Sequence, residues 1–381
     1  MLAISAQRGS QEPQLIDVPP PAGPGAGEVL CRTLELGVCG TDRDILHSAA
    51  PWTPAGEERL ILGHECLARI EAVGSGVAGF RAGDLVVPVV RRAFPGQTRR
   101  VDLLPFGPFT ERGIYHEHGF SQPLWLDRPQ HLFRVPPEIA NLAVLTEPLA
   151  VSEKGVNEAL VLTRARLGSE AWGNGWLGPA AANPQHAVVE RGSTTATPKV
   201  LVTGMGPIGF TAVLAAVARG WPVTMLGRDE PGTFRATLVE RLGGRYQPMQ
   251  ATNFEPADIE LGGHDLLLEC TGSDEVMLQA ASLVRSCGVI VWLGSMRKPQ
   301  PAMHNVQRLM RDGLVRNHIH LGCVNAAPRD FADSLTHLAQ LKQTHAAELA
   351  ALITARVSPE ESLWHYTHRQ PQGIKTVVVY A

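Results

Sequence analysis

Lys199-Val200-Leu201-Val202-Thr203-Gly204-Met205-Gly206-Pro207-Ile208-Gly209 is the stretch on which the architecture turns. Its first five residues read as a buried strand, and the apolar run over 208–218 reads as a helix. A Gly-x-Gly-x-x-Gly loop on its own says little. Between a strand and a helix it has the setting its mechanism needs: the glycines allow a tight turn, and the helix N-terminus faces a pyrophosphate. Further strands are expected at 223–226, 265–270, 288–293 and 318–322, separated by helical stretches. That alternation predicts a parallel sheet wound on both faces, a Rossmann dinucleotide-binding domain.

Upstream the pattern changes. From 28 to 90, short apolar stretches such as Val29-Leu30-Cys31-Arg32-Thr33-Leu34 are broken by glycine and proline, which predicts a strand-rich domain. A helix is expected over 148–162, with Pro148 in its first turn and Glu147 just outside its mouth. Residues 168–198 have no sustained period and read as a loop-like insertion: either its Trp172 and Trp176 pack onto a subunit interface, or it is a partly ordered surface loop. The expected division is 1–155 with 326–381 for one domain and 156–325 for the other.

Composition narrows the class. A chain of 381 residues, 44% hydrophobic and 19% charged, holds about two domains with ordinary cores. A formal charge of −3 gives no reason to expect nucleic acid or an anionic membrane as partner, and Arg91-Arg92 and Arg99-Arg100 read as solvated loop charge. No apolar run approaches the ~20 residues needed to span a bilayer. The N-terminus lacks a basic start followed by a hydrophobic block, so a cytoplasmic protein is expected. The cysteines at 31, 39, 66, 270, 287 and 323 show no tight pairing pattern, which fits reduced thiols.

Four residues ahead of the glycine loop carry a second chemistry: Cys39, the adjacent His64 and Glu65, and Glu147. Thiolate, imidazole and carboxylate all bind zinc, and a catalytic site keeps one position open for water or substrate. Each also has a plain structural reading, as a buried thiol, a core histidine or a carboxylate at a helix start. Metal ligands first and a nucleotide loop second is an order that suggests alcohol oxidation.

The local sequence extends this. Gly37-Val38-Cys39-Gly40-Thr41-Asp42, Leu62-Gly63-His64-Glu65, Val73-Gly74, Gly79 and Gly83-Asp84-Leu85-Val86-Val87-Pro88 resemble, in order and spacing, the zinc-dependent medium-chain dehydrogenase/reductase superfamily. Within it, Val89-Val90-Arg91-Arg92, Glu111-Arg112-Gly113-Ile114, His118-Gly119-Phe120, Thr146-Glu147-Pro148-Leu149 and Gly322-Cys323-Val324-Asn325 look like the glucose dehydrogenase branch known from archaea. The resemblance covers nearly the whole chain. It implies an α/β protein with a GroES-like strand-rich catalytic domain beside the Rossmann domain.

By this resemblance Cys39 and His64 are zinc ligands, Glu65 is a third, and Glu147 ligates directly or through water. Thr41 resembles the hydroxyl that passes the substrate proton onward, with Asp44 or His47 as candidates to complete the relay. Glu111 and Asn325 would contact a sugar, with Glu147 shared between metal and substrate. Gly204, Gly206, Pro207, Ile208 and Gly209 would cradle the cofactor, with Gly227, Arg228, Thr271 and Asn325 completing its contacts. Asn325 could equally cap a turn, and His116 and His118 read as hydrogen-bonding groups before they read as a second metal site.

Cofactor choice follows from the end of the second strand of the nucleotide domain. NAD-binding folds place an acid there for the ribose 2′-OH, whereas a 2′-phosphate wants space and an arginine. This chain has Gly227-Arg228-Asp229, with glycine where the acid would stand and Arg228 placed for a phosphate. NADP is therefore expected to be preferred; similar NADP-accepting proteins often carry a second arginine where Asp229 stands, a departure that weakens the phosphate site and leaves NAD possible. Many zinc alcohol dehydrogenases that this chain resembles hold a structural zinc on four closely spaced cysteines in the lobe after Val86-Val87-Pro88; between Val89 and Phe120 there is no cysteine, so one catalytic zinc and no structural zinc is expected.

The expected reaction is zinc-dependent oxidation of an aldose, glucose-like, at C1 to the lactone. The alternatives are a polyol or secondary-alcohol dehydrogenase of the same fold and a non-catalytic NADPH-binding sensor. A homodimer or homotetramer is expected, associating by sheet extension around 288–296.

Overall fold

The computed structural model describes residues 1–97, 100–172, 197–255, 263–294, 304 and 306–380. The chain divides into two compact units, Met1–Ala150 with Asn325–Ala381, and Val151–Val324. Most of the insertion expected at 168–198, Trp176 included, lies outside the described residues, as does Arg99. Trp172 is described and meets Trp221 edge-on, with ring centroids 6.2 Å apart.

In the first unit, among the described residues, a seven-stranded sheet runs in the order Leu132–Arg134, Leu85–Pro88, Glu65–Val73, Val29–Gly37, Lys375–Val379, Ile353–Val357. Its seventh strand, Leu124–Asp127, also pairs with Val29–Gly37. Alternating side chains of Val29–Gly37 enter the core, the period-2 signature of a sheet with one face covered. Ile4, Leu36, Ile45, Leu60, Phe120 and Trp125 belong to that core. Arg91 and Arg92 correct the expectation of solvated charge. Each is only 6% exposed, and their guanidinium groups pair with Glu111 and Asp127. Short strands place them inside, where each charge needs a partner.

In the second unit, among the described residues, six parallel strands lie in the order Arg245–Pro248, Val223–Gly227, Val200–Thr203, His264–Glu269, Val284–Trp292, Ile319–Gly322. Strands buried on both faces read as continuous apolar runs, and all four residues of Val200–Thr203 are buried. The strand Val284–Trp292 has a partner on each side, so sheet extension through residues 288–292 is corrected; residues 295 and 296 lie outside the described residues, and among the described ones the sheet ends on Arg245–Pro248 and Ile319–Gly322. No described helix is long and apolar enough to cross a membrane.

Candidate active site

Strand register builds the candidate metal-ligand group. Val29–Gly37 pairs antiparallel with Glu65–Val73, Gly37 opposite Glu65. Continuing that register past both ends sets Cys39 beside the Gly63-His64 turn, although 25 positions separate Cys39 from His64 in the chain. The donor atoms of Cys39, His64 and Glu65 all lie within 4.8 Å of one another. Donors on one tetrahedral zinc, at ~2.0–2.3 Å from the ion, stand roughly 3.4–3.8 Å apart, so a small contraction brings the three onto a common cation. They are the one such group among the described residues.

The surroundings are arranged for these groups. A Cβ on Gly37 would lie 2.0 Å from Glu65 Oε2, so the glycine leaves the space that the carboxylate fills. Cys39 opens the helix Gly40–Ser48, and its N–H donates to Asp42 Oδ2 at 2.9 Å. The other oxygen of Asp42 faces His64 Nδ1 at 3.7 Å, and neither of these buried atoms has a hydrogen-bond partner. The two face each other, a carboxylate placed behind an imidazole as it is behind many metal-ligating histidines. Thr41 is half-buried in the first turn of the same helix.

A second unforeseen residue completes the charge balance. Lys375 begins the strand Lys375–Val379, which pairs antiparallel with Val29–Gly37, Val377 opposite Gly37, so Lys375 arrives beside Cys39. Its Nζ donates to Val38 O at 3.3 Å and to Glu65 Oε2 at 2.5 Å. One oxygen of Glu65 is therefore held by an ammonium. Asp42 had a legible signal, the Cys-x-x-Asp spacing of a helix start; Lys375 had none.

Titration reflects the crowding. Burial pushes His64 down, but Cys39 and Asp42 outweigh it and hold the imidazole well above its ordinary pKa. Burial likewise lowers Lys375, and Glu65 more than restores it. Burial raises Asp42, with partial relief from His64. Glu147 lies in the first turn of the helix Thr146–Leu167, not outside its mouth, because the helix begins two residues before Pro148. Its carboxyl stands outside the three-donor group, and burial pushes its pKa up to about 7, opposed by His64 and reinforced by Glu65.

Glu111 and Asn325 are brought together across 214 positions, Asn325 Nδ2 donating to Glu111 Oε1 at 2.8 Å. Arg91 Nε donates to the same oxygen at 2.9 Å, and its guanidinium lies over the Phe109 ring. Asn325 adopts a left-handed backbone and belongs to the first unit, while its Oδ1 accepts from Ala326 N–H. His116 Nδ1 contacts Thr53 O at 2.8 Å, and His118 bridges Ile61 N–H and Glu57.

In the second unit the glycine loop joins Val200–Thr203 to the helix Pro207–Ala218. A Cβ on Gly209 would lie 1.8 Å from Gly204 O, so the turn closes only without a side chain there. Pro207 occupies the first helical turn, where its missing N–H costs nothing. Thr271 is beside Gly204, but its hydroxyl is taken by the buried carboxylate of Glu269, which also accepts from Thr271 N–H at 2.8 Å and from Thr203 Oγ1 at 3.2 Å. Gly227 ends the strand Val223–Gly227, and Arg228 is exposed.

The chain is similar to known proteins. Residues 180–380 match the family model described as glucose dehydrogenase C-terminus, and residues 25–126 match the alcohol dehydrogenase GroES-like domain. A glucose 1-dehydrogenase of Thermoproteus tenax is 35% identical over 97% of this chain and 97% of its own. Another, from Methanocella arvoryzae, is 32% identical over 91% and 90%. Among solved structures, Haloferax mediterranei glucose dehydrogenase in complex with NADP, Zn and gluconolactone superposes over 100% of this chain and 99% of its own, with a TM-score of 0.80 and 24% identity. The 2R,3R-butanediol dehydrogenase of Bacillus subtilis superposes over the same shares, with a TM-score of 0.76 and 19% identity.

Proposed function

This chain belongs to the medium-chain dehydrogenase/reductase superfamily, in its glucose 1-dehydrogenase branch, and we propose that it oxidises glucose or a similar aldose at C1 to the lactone, with zinc and preferably NADP. One observation carries the reading: a thiol, an imidazole and a carboxylate converge within 4.8 Å in a chain that also carries a glycine-loop nucleotide site. Cys39, His64 and Glu65 would hold the zinc, with Glu147 beside them. When bound, zinc supplies a Lewis acid that makes a hydroxyl easier to deprotonate, and NADP accepts the hydride.

The chain's own residues do the rest. Asp42 orients His64, and Lys375 holds Glu65 in place. The Thr41 hydroxyl receives the C1 hydroxyl proton and passes it outward, with Asp44 or His47 as the exit. Glu111 and Asn325 fork onto vicinal hydroxyls, and a site built to bond OH groups rejects analogues lacking them. Gly204 to Gly209 bind the pyrophosphate, Gly227 and Arg228 accommodate the 2′-phosphate, and Thr271 closes the pocket from the neighbouring strand.

The reading extends to a cytoplasmic homodimer or homotetramer. The six cysteines are free thiols, as a reducing compartment keeps them, and among the described residues the strand Ile319–Gly322 ends its sheet. Purified protein is assayed for NADPH formation with glucose, other aldoses, sorbitol and threonine, before and after dialysis against a strong chelator. Aldose-dependent turnover that chelation removes and zinc restores is expected. Faster turnover of sorbitol moves the substrate class to polyols, and turnover indifferent to complete zinc removal ends the mechanism.

A further inference from the structure

Past the strand Val223–Gly227 the chain presents Arg228 and then Asp229. Asp229 is a carboxylate close to where a dinucleotide-binding fold holds the adenosine ribose, and a free acid there accepts the 2′-OH and repels a 2′-phosphate. Asp229 is not free. Arg235, in the first turn of the helix Phe234–Arg241, grips it with both arms of its fork: Nε donates to Oδ2 at 2.8 Å and Nη2 to Oδ1 at 2.5 Å. The carboxylate is 9% exposed and the guanidinium 21%. Tyr246 Oη donates to Asp229 O at 2.5 Å, and Arg235 Nη1 reaches Met205 O, inside the glycine loop, at 3.5 Å.

We propose that Arg235 sets the preference for NADP over NAD by clamping and neutralising Asp229. The inference rests on the nucleotide-binding reading above and concerns only its 2′-phosphate end. A bidentate guanidinium–carboxylate pair is strong and geometrically fixed, so the acid is turned from the ribose and its charge is cancelled. Arg228, exposed beside it, then faces the phosphate without an opposing carboxylate. Arg235 is a positioning residue in this scheme and acts through Asp229.

The test uses half-cofactors and needs no turnover. Calorimetry measures binding of 2′,5′-ADP and of 5′-AMP to the full chain, and the ratio of the two affinities isolates the 2′-phosphate. The wild-type protein is expected to favour 2′,5′-ADP. Arg235→Ala should lower that ratio by about tenfold or more, because like charges then face each other, with 5′-AMP affinity unchanged. Adding Asp229→Asn to Arg235→Ala should bring the ratio back to within about threefold of wild type, and Asp229→Asn alone should keep or raise it.

A double variant as poor as the single one would mean that Arg235 touches the phosphate itself, and the clamp is overturned. So would a fall in the ratio for Asp229→Asn alone, a variant that keeps Arg235 and guards against a folding defect. A wild-type protein that favours 5′-AMP sinks the NADP reading, and the clamp with it. An unchanged ratio in Arg235→Ala, with wild-type preference for 2′,5′-ADP intact, sinks the clamp alone.

Discussion

Lys375 Nζ and Glu65 Oε2 meet 2.5 Å apart, with side chains 0% and 1% exposed. The pair is separated by 310 positions and joined by the register of three strands. Removing one partner of a buried pair strands the other charge, so Lys375→Met should cost about 3–5 kcal/mol. Denaturant unfolding of the metal-free protein measures it, and adding Glu65→Gln should recover much of the loss. A cost below about 1 kcal/mol would mean that Glu65 is not held as an anion by Lys375.

Asp42 has one oxygen on Cys39 N–H and the other toward His64. Asp42→Asn keeps the shape and removes the charge that steadies the imidazole. Zinc affinity should fall about 10–100-fold, as loss of a partner behind a ligand does. Competition with a chromophoric chelator reads this directly, and unchanged affinity would remove Asp42 from the site.

Cys39→Ala and His64→Ala each delete a proposed ligand. Either should reduce kcat for aldose oxidation by about 10³-fold or more, the worth of several kcal/mol of Lewis-acid stabilisation. Bound zinc, measured by metal analysis, should fall in parallel. Full metal content in both variants would place the ion elsewhere.

Glu111 carries hydrogen bonds from Arg91 and Asn325 on one oxygen. Asn325→Asp would set a second carboxylate against it. The KM for glucose should rise by about tenfold or more, while the KM for NADP moves little. A variant in which both constants shift together would mean that Asn325 serves the cofactor instead.

Asp127 contributes to acid stability. Burial alone would raise its pKa, but Arg92, then His131 and Arg112, hold it well below the ordinary carboxylate range. A depressed folded pKa contributes stability that is present above the unfolded value of 3.8 and is lost as pH falls toward the folded one. Wild-type protein should therefore lose stability as pH drops below about 4, and Asp127→Asn, weaker at neutral pH, should show a flatter slope there. Parallel slopes would mean that the pair does not form.

The parts of this molecule legible in its sequence are those whose physics is local. Strand, glycine loop and helix follow one another within some twenty residues around Gly204, and a turn that only glycine can make leaves its mark on the residues themselves. Cys39, His64 and Glu65 were legible as ligand types, and Arg228 as a cation after the second strand of the nucleotide domain, because side-chain chemistry travels with the residue. Partner choice does not. Arg91 and Arg92 look like loop charge until the fold buries them against Glu111 and Asp127, and Asp229 looks like a free acid until Arg235 closes on it. The three-donor cluster and the lysine behind it exist because strands far apart in the chain pair in one register, since a slip of one residue would turn their side chains to the opposite face. Composition and motif determined what chemistry was on offer; only the tertiary structure decided which charges face one another, because the energy of a buried charge depends on neighbours that no local stretch of sequence contains.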